Sequence, residues 1–172
     1  MFLNYLKDFA TKKIVKNSLS NVKHVQSDTI IKTVGIVFDE SYFYEREALV
    51  EELIQKGIDK NNIKILVYKD KIKKNDVFDY PVFSHSDLSW HATIDKKEVN
   101  HFIKAPFDLL INYYDTEKVA LLLVSHLSKA SFKVGFATVD KRLNHFMINT
   151  NAENFKVFVE ELFKYLKILN KI

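Results

Sequence analysis

Apolar residues in this chain fall into two alternating kinds of run. Short unbroken stretches, TVGIVFDE (33–40), NIKILVYKD (62–70), FDLLINYYD (107–115), FKVGFATV (132–139) and LNHFMINT (143–150), have the continuous character of strands covered on both faces. Between them the apolar positions recur every three or four residues, which predicts helices. In 44–58, Ala48, Leu49, Leu53, Ile54 and Ile58 form one stripe opposite Glu45, Glu52 and Lys56, and Gly57 stands where a left-handed cap needs it. Residues 116–130 are apolar nearly all round between 119 and 124, so that helix is expected to be heavily buried. Thr150 and Glu153 have the spacing of a capping box. They would open a last helix that turns Phe155, Phe158, Val159, Leu162, Phe163, Leu166 and Leu169 inward.

Residues 71–95 are irregular. Pro81 limits any central strand there, so a short edge strand is expected at 82–84. Asp95 and Glu98 then read as an N-cap pair for a short helix through Lys104, which Pro106 stops. Alternation of strand and helix argues for a compact three-layer α/β domain, Rossmann-like, with a mostly parallel sheet of about five strands. Residues 34–38 are expected at its centre beside 109–113.

At 172 residues and 47% hydrophobic the chain can bury one core and is too short for two ordinary domains. Three Gly and two Pro leave no room for long flexible linkers. The absence of cysteine excludes disulfides, thiolate-bound zinc and thiol catalysis. Asn4, Lys7 and Asp8 interrupt the first apolar residues, so the start does not read as a signal peptide, and the 119–124 run is far too short to span a bilayer. A soluble, cytoplasmic protein is expected.

Charge divides the chain further. Residues 1–32 hold Lys7, Lys12, Lys13, Lys16, Lys23 and Lys32 against Asp8 and Asp28, which accounts for the whole formal net charge of +4. The organisation expected is therefore a basic helical extension, 1–32, on a neutral α/β domain, 33–172. Such an extension suits an acidic partner, and RNA or a ribonucleoprotein is the commonest candidate. Lys7, Lys12, Lys13 and Lys16 would be the main contacts, with Lys71, Lys73 and Lys74 as a second patch. Phe2, Tyr5, Leu6 and Phe9 share one arc of the first helix, suited to packing on the protein's own core, on a partner or on a membrane surface.

In an open α/β sheet, ligands bind beyond the carboxyl ends of the strands. Here those ends carry Asp39, Glu40, Asp70, Tyr114, Asp115 and Asp140. The first strand-to-helix turn, DESYFYERE, has no glycine to bring backbone N–H groups to a phosphate, and its Tyr42, Phe43 and Tyr44 would fill that space. No nucleotide cofactor is expected. Asp39, Glu40, Asp70 and Asp115 could converge on a divalent cation. They serve equally to cap helix N-termini, a role that suits Asp115 before Thr116, and no metal is assigned. His24, His85, His91, His101, His126 and His145 lack metal-ligand spacing. His85 or His91 could act as a base with Asp87, but no nucleophile motif accompanies them, and His126 reads as a core residue. No catalytic residue is assigned.

Two resemblances add to this reading. VGIVFDESYFYEREALVEELI, FDLLINYYD, SKASFKVGF and the ending KRLNHFMINTNAENFKVFVEELFKYLKILNKI resemble a small bacterial family of unknown function found mainly among flavobacteria. FDLLINYYDTEKVALLLVSHLSKASFKVGF is similar to the second strand–helix–strand unit of the heptosyltransferase-like glycosyltransferases. The latter resemblance implies a Rossmann-like fold and, as the alternative function, a small-molecule or transferase-like site at the strand-end acids. The family's glycine–aspartate loop is replaced here by Phe38-Asp39-Glu40-Ser41, which leaves Asp39 as the one position for its catalytic acid, and its nucleotide-sugar domain has no counterpart.

Overall fold

The computed structural model describes residues 2–20 and 29–172. Within them, six strands form one sheet: β1 (Val34–Asp39), β2 (Ile63–Tyr68), β3 (Val82–Phe83), β4 (Leu109–Tyr113), β5 (Phe132–Phe136) and β6 (Phe146–Ile148). Their order is β3-β2-β1-β4-β5-β6, and every neighbouring pair is parallel. This is the doubly wound Rossmann order, in which the chain reverses its direction of travel across the sheet between β1 and β4. All six β1 residues are buried, and Val34 faces Ile63 on one side and Leu109 on the other, at the centre as the apolar run predicts. Pro81 places β3 at the edge, also as expected, and this two-residue strand brings the count to six.

Five α-helices are described: α1 (Phe2–Leu19), α2 (Arg46–Gln55), α3 (Lys97–Lys104), α4 (Val119–Leu127) and α5 (Phe155–Ile168). One face of the sheet packs on α3 and α4, with α1 against α4, through Val37, Leu66, Leu110, Phe102 and Leu122. The other packs on α2 and α5 through Ile36, Phe38, Ile111, Leu49 and Phe158. Alternation along β1 and β4 divides side chains between the two cores, as a three-layer domain requires. The helix α4, apolar all round, is buried from Val119 through Ser125, because the sheet lies on one side of it and α1 on another. Among the described residues no helix is long and apolar enough to cross a membrane.

Two glycines are dictated by geometry. Gly57 has φ +104° just past α2, where its N–H meets the Ile54 carbonyl and the next N–H reaches Leu53. Gly35 lies under Phe107: a Cβ there would stand 2.6 Å from the ring.

Three expected caps do not form. The helix α3 starts at Lys97 with Lys96 in the capping position, α4 at Val119 after Lys118, and α5 at Phe155 after Asn154, none with a side-chain cap bond. Asp115 is taken by a tertiary partner instead, accepting the Ala152 N–H at 2.9 Å. Leu169, expected on the inner face of α5, lies 40% exposed.

The arc of α1 is also reversed from a core-packing expectation. Thr11, Val15 and Leu19, spaced by four, form the buried face against α4, and Val15 and Leu19 join the core. Tyr5 and Phe9 are 70% and 65% exposed. The side chain of Phe2, with Lys23, His24 and Asp28, lies outside the described residues.

Candidate functional site

The crevice beyond β1 and β4 is the position where a sheet of this order takes a ligand. Its centre is a cation supplied by the chain. Lys118, at the start of α4, sends its ammonium to Asp39 Oδ2 at 2.9 Å, Asp70 Oδ1 at 3.0 Å and Ser41 Oγ at 2.8 Å. It lies 4.9 Å from the ring centres of both Tyr42 and Tyr68. Asp39, almost fully buried at the end of β1, also accepts the Ser41 N–H at 3.0 Å. The carboxylate and the ammonium thus occupy the groups that an anionic ligand or an acceptor would need. Burial alone would raise the Asp70 carboxyl; bonds from Lys118, Ser41 and Tyr68 outweigh it and hold the group below the usual carboxylate range.

Glu40, also buried, turns to the β2 side of the crevice. It bonds Lys69, Arg46 at 3.3 Å and the Tyr80 hydroxyl at 3.2 Å, and the Arg46 guanidinium lies 3.7 Å over the Tyr80 ring. A cavity of about 260 Å³ remains between Glu40, Tyr44, Lys69 and Lys71. Of the three aromatics in the first turn, Phe43 fills the interior against Phe38, Tyr113 and Phe155. Tyr42 and Tyr44 are largely exposed, and Phe43 alone of the three is buried.

The remaining strand-end groups are dispersed. Tyr114 is no part of the crevice. Its ring is buried in the α4 core with its hydroxyl 2.6 Å from Ser125 Oγ, and burial pushes its pKa up. Tyr113 points to the opposite core and donates to the Ala152 carbonyl at 2.6 Å. Asp115 turns to the loop before α5, and Asp140 is gripped by Arg142 at 2.6 Å. Of the strand-end acids, only Asp39 and Asp70 share a partner. Among the described residues no group of three His, Asp or Glu side chains is placed to hold a metal ion. His85 pairs with Asp8 of α1 at 2.5 Å, whereas Asp87 caps the Ser84 N–H. His126 is half-buried on α4, its pKa lowered by burial and by Lys133 and Lys129.

The lysines named from sequence behave in three ways. Lys12 and Lys16 reach Glu117 at 3.2 and 3.1 Å, and Lys16 also lies 3.8 Å from Asp140. Lys7 donates to the Leu88 carbonyl at 2.8 Å. Lys13, Lys71, Lys73 and Lys74 have exposed side chains. Since Asp8 meets the segment after β3, Lys12 and Lys16 the segment after β4, and Lys16 that after β5, α1 crosses the carboxyl end of the sheet as a strap.

Sequence reasoning missed Lys118. One signal was available: a lysine at the N-terminus of a helix opposes the macrodipole, so nearby acids are needed to hold it.

A family model described as a family of unknown function (DUF6913) matches residues 7–169. No curated protein and no solved structure matches the chain.

Proposed function

We propose that this chain, which belongs to the DUF6913 family of unknown function, is a non-catalytic α/β binding module that attaches to RNA or a ribonucleoprotein. The contact is the outer face of α1, with Lys71, Lys73 and Lys74 as a second patch. One observation carries the reading. Tyr5 and Phe9 stand one helical turn apart, 70% and 65% exposed, on the side of α1 turned away from the body, and Lys13 follows Phe9 by another turn. Exposed aromatic faces stack on unpaired bases, and neighbouring lysines displace counterions from phosphates. Lys12 and Lys16, half-exposed, contribute while paired to Glu117; Lys7 belongs to the strap and is not a contact.

The non-catalytic part of the reading is supported by the crevice, where Lys118 already holds Asp39 and Asp70. The transferase-like alternative would need Asp39 to reach an acceptor, against its bonds to Lys118 and Ser41.

The test is fluorescence anisotropy of a labelled single-stranded RNA dodecamer with the full chain. Truncating residues 1–32 is unsuitable, because Val15 and Leu19 are part of the core. Weak binding that falls steeply with salt is expected. Replacing Tyr5 and Phe9 together by Ala should weaken it at least about fivefold, since each stacked base is worth roughly 1–3 kcal/mol. Binding that is undetectable at low salt, or unaltered in that variant, rejects the proposal.

A further inference from the structure

β2 is paired along its whole length with β1, but on its other side only Val67 and Tyr68 meet β3. The N–H groups of Val67 and Lys69 reach the Pro81 and Phe83 carbonyls, so the odd-numbered residues of β2 turn their backbone groups outward. Ile63 and Ile65 are therefore also directed outward. The Ile63 N–H closes on the Lys60 carbonyl. This leaves the Ile63 carbonyl and both backbone groups of Ile65 on an edge where no described strand pairs.

A groove of about 570 Å³ follows this edge. Ile63, Lys64 and Ile65 line it in succession although their side chains alternate between faces, so it runs along the backbone itself. Phe102 and Phe107 form its apolar wall, and Tyr80 and Pro81, the residues just before β3, close one end. It is the unfilled continuation of β3. Its carboxylates, Asp79 and Glu98, outnumber its one ammonium, Lys64, a negative balance.

We infer that this groove is a docking site for an extended segment of a partner protein, added beside β2 in line with β3. Backbone groups facing an open edge select a strand, the mode by which sheets are augmented by peptides. About four residues span the free part of β2 at roughly 3.3 Å each. One apolar side chain of the segment meets Phe102 and Phe107. Charge complementarity places a lysine or arginine of the segment against Asp79 and Glu98. A second copy of this chain is disfavoured as the occupant, because edge-to-edge pairing would bring its Lys64 to the first. The inference does not rest on the proposed RNA contact, whose main face is α1 and whose second patch, Lys71, Lys73 and Lys74, lines no part of this groove.

The probe is an acetylated, amidated heptapeptide of alternating threonine and valine ending in lysine, titrated into the isotopically labelled full chain and followed by amide chemical shifts. Saturable shifts at residues 63–66 are expected. They should weaken at least about tenfold when alternate peptide nitrogens are methylated, and severalfold when the lysine is replaced by glutamate. Absence of shifts at these residues up to about 1 mM peptide, or equal binding of the methylated peptide, overturns the inference. So does a dimer in sedimentation of the free protein that dissociates in the Ile65→Pro variant, which would assign the edge to a second copy.

Discussion

Replacing Lys118 by Met removes the ammonium and keeps the length and apolar stem of the side chain. Two ion pairs of different value are lost, together with the bond to Ser41 Oγ. The Asp39 side chain is only 6% exposed, so it is left as a buried carboxylate with the Ser41 N–H as its remaining partner. Breaking a buried pair from one side costs about 3–5 kcal/mol. Asp70 is 47% exposed, and an exposed pair contributes about 0–1 kcal/mol. Because Lys118 keeps some solvent contact and the Ser41 N–H bond to Asp39 persists, we expect a loss of about 2–4 kcal/mol at pH 7. For a chain of 172 residues that lowers Tm by very roughly 4–16 °C. The assay is urea unfolding of the wild type, Lys118→Met, Asp39→Asn and the double variant. Asn keeps the acceptor for Ser41 without the charge, so the double variant should recover most of the loss, giving a coupling above about 1 kcal/mol. A Lys118→Met variant within about 0.5 kcal/mol of wild type, or strictly additive changes, would refute the closed crevice.

Two further outcomes follow from local geometry. Gly35→Ala drives a Cβ into the Phe107 ring and should destabilise by about 1–3 kcal/mol in urea unfolding, with partial recovery on adding Phe107→Leu; an unchanged midpoint contradicts the packing. Hydrogen bonds from the Arg142 side chain, against burial and with help from its N–H and from Lys16, pull the Asp140 carboxyl down from an ordinary 3.8 to about 2. A carboxyl depressed in the folded state adds stability above its unfolded value and loses it as pH falls through 3.8 toward 2. Asp140→Asn should therefore cost about 1–2 kcal/mol at pH 7, allowing for the exposure of Arg142 and Lys16, and only about a few tenths of a kcal/mol near pH 2; an equal cost at both pH values would assign Asp140 a purely steric role.

The central strand was legible because β1 is covered on both faces and so has no polar alternation, and the edge strand because Pro81 cannot donate to an inner ladder. Helix starts were misread for one physical reason: a carboxylate near a helix start has several possible partners, and Asp115 is claimed by Ala152, 37 residues away. Lys118 was missed on similar grounds, since Asp39 and Asp70 lie 79 and 48 residues from it and only the sheet order unites them. The orientation of α1 was not legible either. Tyr5, Leu6 and Phe9 are the larger apolar set, yet Thr11, Val15 and Leu19 face the core. That side also brings Lys12 and Lys16 to Glu117 and Asp8 to His85, contacts decided by loops after β3 and β4.

The most direct test of a module that works through its surfaces, with its crevice closed by Lys118, is thermal unfolding of the full chain against nucleotides, nucleotide-sugars and divalent cations. A ligand at a hundred times its Kd adds about 2.7 kcal/mol to the folded state, which no shift in Tm smaller than a few degrees could conceal. Shifts below about 1 °C are expected throughout. A rise of several degrees with any one of them, abolished by Asp39→Asn, would contradict the closed crevice and restore it as a ligand site.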